Sequence, residues 1–136
     1  MNFKIKTPVG IYKYKMVPLF LGVKRINKEI SRRNLALFYD ILAEAGVRVF
    51  LAYGTMLGAA REHDFIAHDE DIDLGMSKEY KDKLFYSLFK LRENGFEVCR
   101  YDRRGVISFM KEGEYIDIYI YGKDEDGIVS CGQEVM

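Results

Sequence analysis

The chain is poor in soft metal ligands: 136 residues hold two cysteines, two histidines and no tryptophan. Cys99 and Cys131 fit no metal-ligand spacing, so a cysteine-based zinc module has no support. Without a secretory signal at the start, the two thiols read as reduced residues of a cytosolic protein, small side chains on strands. No Ser/His/Asp or Cys/His set is apparent. No apolar run approaches the roughly 18 residues of a membrane-spanning helix. The short stretch Met16 to Val23 is interrupted by Pro18 and Gly22. Internal repeats and low-complexity segments are also missing.

What is present is globular. The apolar fraction is 49% and the aromatic fraction 14%, enough for one domain with one core. The formal net charge is zero, but it is unevenly spread. Residues 1–33 carry nine Lys or Arg and one acid, Glu29, which leaves twelve basic and twenty acidic residues in 34–136. A basic first quarter thus precedes an acidic body. It reads as an arm that docks on that body, or as a patch for an anionic membrane surface or polyanionic acceptor. The acidic body argues against a nucleic-acid partner.

Residues 1–26 mix Pro, Gly, aromatics and Lys without a sustained period and read as a basic irregular arm. From Asn27 the pattern turns helical: Ile30, Leu35, Leu37, Phe38, Ile41, Leu42 and Ala45 follow a helical period that Gly46 ends. Val47 to Ala52 reads as a buried strand, and Thr55 as the cap of a short helix to Arg61. Glu62 to Glu70 is a polar loop, and Asp71 to Met76 alternates as a strand does. Ser77 opens a helix over Lys78 to Arg92. Candidate strands follow at 96–101, 106–111 and 114–121, with a last one starting near Ile128. The expected class is α+β, with a partly antiparallel sheet.

The chemistry concentrates in Asp71-Ile72-Asp73. In a strand, positions i and i+2 share a face, so both carboxylates project together. Carboxylates that close repel one another, and a bound divalent cation removes that cost. Hard oxygen ligands suit Mg²⁺ or Mn²⁺. Asp117 is the second candidate, in a strand where Ile116, Ile118 and Ile120 share one face and Tyr115, Asp117, Tyr119 and Tyr121 the other. If that strand neighbours the Asp71 strand, three carboxylates converge, as in two-metal phosphoryl-transfer sites. The third candidate is Tyr53-Gly54-Thr55, where a glycine between strand and helix admits a phosphate to the backbone amides. Thr55 adds a hydroxyl, and Arg61 a bidentate phosphate donor. A calcium loop starting at Asp69 fails, because its sixth position is Leu74 and its twelfth is Tyr80. His63 and His68 read as loop-surface residues, with a ligand or proton-transfer role for His68 as the alternative.

The stretch from Leu51 to Met76 resembles the signature of the LicD family, which includes phosphocholine transferases and fukutin-related proteins of the nucleotidyltransferase superfamily. Gly54, Thr55, Leu57, Gly58 and Arg61 match the first half of the pattern, and Ile66, Asp69, Asp71, Ile72 and Asp73 the second. Ala67, His68 and Glu70 depart from it. The resemblance covers residues 28–121 and implies a nucleotidyltransferase-like mixed sheet flanked by helices. It places the catalytic core at 27–136, cut short at its C-terminal end relative to the family.

It also implies a reaction: Mg²⁺-dependent transfer of a phospho-substituent such as phosphocholine from a CDP-linked donor to a glycan hydroxyl in cell-surface polysaccharide. Asp71 and Asp73 would hold metal, Asp117 would be the third ligand or the base, and Gly54, Thr55 and Arg61 would hold donor phosphates. The expected location is cytoplasmic, with the basic arm touching the inner membrane face. Two alternatives stay open: a nucleotidyltransferase using an NTP, and an inactive, truncated binding module.

Overall fold

The computed structural model describes residues 2–17, 26–53, 55, 59, 72–102, 105–123 and 129–131. Strands β1 (Asn2–Thr7) and β2 (Gly10–Lys15) form an antiparallel hairpin. Helix α1 spans Lys28–Glu44, followed by the two-residue strand β3 (Phe50–Leu51) and by β4 (Ile72–Ser77). A 3₁₀ turn, Lys78–Tyr80, leads into α2 (Lys81–Tyr86) and α3 (Leu88–Glu93). Strands β5 (Glu97–Asp102), β6 (Val106–Lys111), β7 (Glu114–Lys123) and β8 (Val129–Cys131) complete the order.

The main sheet runs β3-β4-β7-β6-β5, with β8 pairing the end of β7. The β4–β7 pair is parallel and the others are antiparallel. This is the mixed α+β sheet the sequence pointed to. One face carries the core: Ile72, Leu74 and Met76 of β4, Ile116, Ile118 and Ile120 of β7, and Ile107 and Phe109 of β6 are all buried. The alternation of each strand sends these residues to one side.

Helix α1 begins where Asn27 caps it, its side chain accepting from Ile30 N–H. The Glu114 carboxylate accepts from Asn27 N–H at 2.7 Å and from the Ser31 hydroxyl at 3.3 Å. An acid there also favours the positive end of the helix dipole. Asn34 donates to the carbonyl of Lys111, so polar contacts tie α1 to the β6–β7 hairpin. Below them Phe38 meets Phe96 and Phe109 edge-on, with centroids 5.2 and 5.1 Å apart. Gly46, at φ +77, ends the segment as expected.

Residues 2–15 are a β-hairpin rather than an irregular arm. Phe3 and Ile5 alternate with Lys4 and Lys6, and Tyr12 and Tyr14 alternate with Lys13 and Lys15. The period is two, with lysine as the polar partner. Ile5, Tyr12 and Tyr14 join the core cluster, so docking is apolar rather than electrostatic. The hairpin covers the outer edge of β5: the Tyr12 hydroxyl accepts from Val98 N–H, and Val17 N–H donates to the carbonyl of Cys99. An unpaired edge would otherwise invite another chain. A second correction concerns residues 78–92, which are broken at Ser87 instead of forming one helix. The Ser87 hydroxyl donates to the carbonyl of Lys83 at 2.9 Å and so competes with the helix ladder. Ser77 precedes the 3₁₀ turn but makes no side-chain cap bond.

Tyr12 supplies a test of hairpin docking. Its hydroxyl is pushed up to about 12 from 10.0, first by burial, and next lowered by the Val98 amide. Above pH 10 the unfolded chain releases this proton and the folded one keeps it. The stability is therefore whole below pH 10 and is lost as pH rises toward 12. The expected loss is about 1.4 kcal/mol by pH 11. Urea unfolding at pH 9, 10 and 11 should show this slope in the wild type and a shallower one in Tyr12→Phe. Equal slopes would assign the loss to other groups.

Candidate active site

The parallel register of β4 and β7 sets Asp73 directly beside Asp117. Both side chains leave the face opposite the core, because their neighbours Ile72, Leu74, Ile116 and Ile118 fill the core face. The strand adjacency on which a three-carboxylate convergence depends is present for Asp73 and Asp117, and Asp71 lies outside the described residues. Asp117 is 3% exposed, and its Oδ1 has no hydrogen-bond partner among the described residues. A buried carboxylate oxygen left without a donor is costly. The arrangement is better matched to a ligand than to a finished core.

The backbone of Asp73 is held from both sides by Ala52 and Thr55, which follow β3. Ala52 N–H donates to the Asp73 carbonyl at 3.0 Å, and Asp73 N–H donates to Thr55 Oγ1 at 2.7 Å. Thr55 is buried. Its hydroxyl oxygen thus fixes the strand that carries the carboxylate. Tyr53, between these anchors, has φ +47, a left-handed conformation rare for an aromatic residue. Strain of this kind persists where the surroundings over-determine it. Here the Tyr53 ring lies 4.7 Å from that of Tyr119, and the hydroxyls of Tyr121 and Tyr53 are 3.2 Å apart.

Aromatic rings line this side of the pair. Phe50 lies over Gly75, where an added Cβ would fall 2.2 Å from the ring, and Phe50 also meets Tyr121 at 5.8 Å. Gly75 is there because the ring occupies the space of a side chain. On the other side of Asp117 stand Ser108, its register partner on β6, and Cys99 on β5. Cys99 is a buried free thiol whose proton is held up to about 12, first by burial and then by the Asp117 charge, while Arg100 pulls the other way. It is inert packing, as its sequence context indicated.

Gly54, Arg61 and Asp71 lie outside the described residues, as do His63 and His68. Among the described residues no three His, Cys, Asp or Glu side chains group as a metal site. The sequence pattern marked Asp73, Asp117 and Thr55, and placed Tyr119 and Tyr121 on the Asp117 face. It did not mark Phe50, Gly75, Ser108 or Arg100. The only sequence signal for Gly75 was a glycine inside a strand.

The chain is similar to several known proteins. Residues 46–128 match the model of the family described as LicD/FKTN/FKRP, nucleotidyltransferase domain. An uncharacterized protein of Rickettsia typhi, RT0683, is 27% identical over 91 residues, which is 67% of this chain and 28% of that protein. Among solved structures, ANT(2")-Ia in complex with adenylyl-2"-tobramycin superposes with a TM-score of 0.51 at 19% identity, covering 73% of this chain and 55% of that one. The lincosamide antibiotic adenylyltransferase LnuA, lincomycin-bound, gives 0.49 at 19% identity, over 71% and 60%. The chain thus spans little more than a quarter of the curated relative and under two thirds of the solved ones.

Proposed function

This chain belongs to the LicD/FKTN/FKRP nucleotidyltransferase-domain family, and from that premise we propose that it transfers a phospho-substituent from a CDP-linked donor to a glycan hydroxyl. The observation that carries the reading is the parallel pairing of Asp73 with Asp117, one oxygen of Asp117 being buried and without a donor among the described residues.

The donor set fits a hard divalent cation. Carboxylate oxygens on adjacent strands suit Mg²⁺ or Mn²⁺, and Asp71, two positions before Asp73, completes the set by sequence. When bound, such an ion supplies positive charge for the attacking and leaving oxygens of phosphoryl transfer. Thr55 and Ala52 keep Asp73 in register, so that its carboxylate does not swing away. Asp117 is the third ligand or the base. As the base it takes the proton of the acceptor hydroxyl, as the new O–P bond forms and the bond from phosphorus to CMP breaks. Gly54 and Arg61 serve the donor phosphates in this reading, on the strength of their place in the family pattern. Phosphoryl transfer asks for positioning and charge more than for covalent chemistry, which suits this set.

The hairpin fits a substrate at a membrane surface. Lys4, Lys6, Lys13 and Lys15 are exposed, with Val9 and Ile11 exposed beside them. Lys4 lies directly opposite Lys13, a like-charge pair that costs stability unless an anionic surface offsets it. No helix among the described residues is long and apolar enough to cross a membrane.

A thermal-shift screen with Mg²⁺ against CDP-choline, CDP-glycerol, CDP-ribitol and the four NTPs tests the donor. A ligand that binds only the native state raises the melting temperature by mass action. We expect a Mg²⁺-dependent rise with one CDP-alcohol that disappears in Asp73→Asn. A rise with NTPs alone would replace this reading by nucleotidyl transfer. No rise with any ligand would leave an inactive binding module as the better account.

A further inference from the structure

Three buried side-chain polar atoms lack a hydrogen-bond partner among the described residues: Arg100 Nε, Ser108 Oγ and Asp117 Oδ1. They do not lie at random. Arg100 is the register partner of Ser108, Ser108 of Asp117, and Asp117 of Asp73. Four strands therefore contribute one continuous row, on the face opposite the helices. Buried polar groups without partners are uncommon and costly. Three in sequence along one row point to a shared occupant.

The placement of Arg100 is itself the product of an irregularity. Val98 joins the core, and Tyr101 packs edge-on against Phe85 of α2 at 5.5 Å. Both face the helices, although they are three positions apart. Simple alternation from Val98 would turn Arg100 into the core. The register shift between Val98 and Arg100 adds one residue, Cys99, to β5. Cys99 and Arg100 are then both directed to the Ser108 side. Bulges re-aim side chains in this way, often beside active sites.

We propose that Arg100 and Ser108 form a binding subsite for a phosphate group, on the same row as the Asp73–Asp117 pair. The chemistry is matched. Guanidinium is the side chain best shaped for phosphate oxygens, and a serine hydroxyl donates to a further one. Adjacent strands are about 4.8 Å apart, so Ser108 adjoins Asp117 and the Arg100 backbone lies roughly 10 Å from it. That is the scale of a diphosphate-containing substrate. The phosphate belongs to the donor or to a phosphorylated acceptor. The subsite rests on the proposed function, because an anion so near two carboxylates needs a cation between them.

Titration calorimetry with inorganic pyrophosphate in Mn²⁺, beside electron paramagnetic resonance of Mn²⁺ alone, tests it. Arg100→Ala and Ser108→Ala should each bind pyrophosphate more weakly, Arg100→Ala on the order of 10-fold or more, with Mn²⁺ affinity unchanged. Ser108→Ala removes a hydroxyl without a partner among the described residues, so it should melt no lower than wild type. It carries the test if Arg100→Ala does not fold. CDP and glycerol 3-phosphate then separate the sources: weakened CDP binding assigns the subsite to the donor, and weakened glycerol 3-phosphate binding to the acceptor. Wild-type pyrophosphate affinity in both variants overturns the subsite and leaves the carboxylate reading standing. Failure of the wild type to bind Mn²⁺ overturns the carboxylate reading, and the subsite with it.

Discussion

Asp117→Asn should abolish turnover without weakening the fold. The substitution keeps the volume and removes the charge. Loss of one preorganised electrostatic group at a reacting centre typically costs about 10²–10³ in rate, and loss of a metal ligand should cost at least that. The stability effect has the opposite sign. Asp117 is 3% exposed, and Oδ1 finds no donor among the described residues. An amide in its place avoids burying a charge, so the melting temperature in the absence of metal should hold or rise. Two measurements check this: the melting temperature without divalent ions, and release of CMP from the donor that the thermal screen identifies. A variant that melts lower and turns over normally would make Asp117 a structural acid. A variant that melts as expected but keeps its rate would move the chemistry elsewhere on the row.

The common face of the Asp117 strand was legible in the sequence, for a physical reason. Strand alternation is local, so Asp117 and the tyrosines around it could be assigned a common face from residues 115–121 alone. Helix α1 was legible in the same way, from its period and from Gly46. The juxtaposition of Asp73 with Asp117 is not local. The sequence could only state it as a condition, and the parallel register of β4 and β7 meets it. Thr55 read as a helix cap, because a threonine before a short helix usually is one. Its oxygen accepts Asp73 N–H from a strand 18 residues on, and residues 56–58, which a cap would serve, lie outside the described residues. The bulge at Cys99 left no signal at all. Val98-Cys99-Arg100-Tyr101 alternates acceptably in either register, and the choice follows from Val98 and Tyr101 both having helices to pack against. The amino-terminal hairpin was legible in principle. Its alternation of lysine with aromatic and aliphatic residues does not extend over the whole amino-terminal segment, because Pro18 and Gly22 spoil the period.

The core should fail at Phe38 before it fails anywhere on the functional face. Phe38 is fully buried and lies between Phe96, which follows α3, and Phe109 of β6. Its ring joins the main helix to the sheet. Truncating a buried phenylalanine costs about 3–5 kcal/mol, through lost transfer energy and the cavity left behind. Each edge-on ring pair adds roughly 0.5–1.5 kcal/mol beyond area. Hydrogen bonds around it leave little room to collapse: the Asn34 side-chain amide donates to the Lys111 carbonyl one helical turn away, and Phe96 N–H donates to the Leu91 carbonyl. Phe38→Ala should therefore lose about 4 kcal/mol in urea unfolding, a large share of the roughly 5–15 kcal/mol that holds a domain together. Phe38→Leu should recover much of it, since it leaves a far smaller cavity than alanine does. A loss under about 1 kcal/mol for Phe38→Ala would mean that α1 is not packed on the sheet as described. The β4–β7 register would then depend on strand pairing alone. Because Asp73 and Asp117 meet only in that register, any Mn²⁺ affinity that the proposed site confers should persist in a Phe38→Ala protein that still folds, until the temperature at which the sheet itself opens.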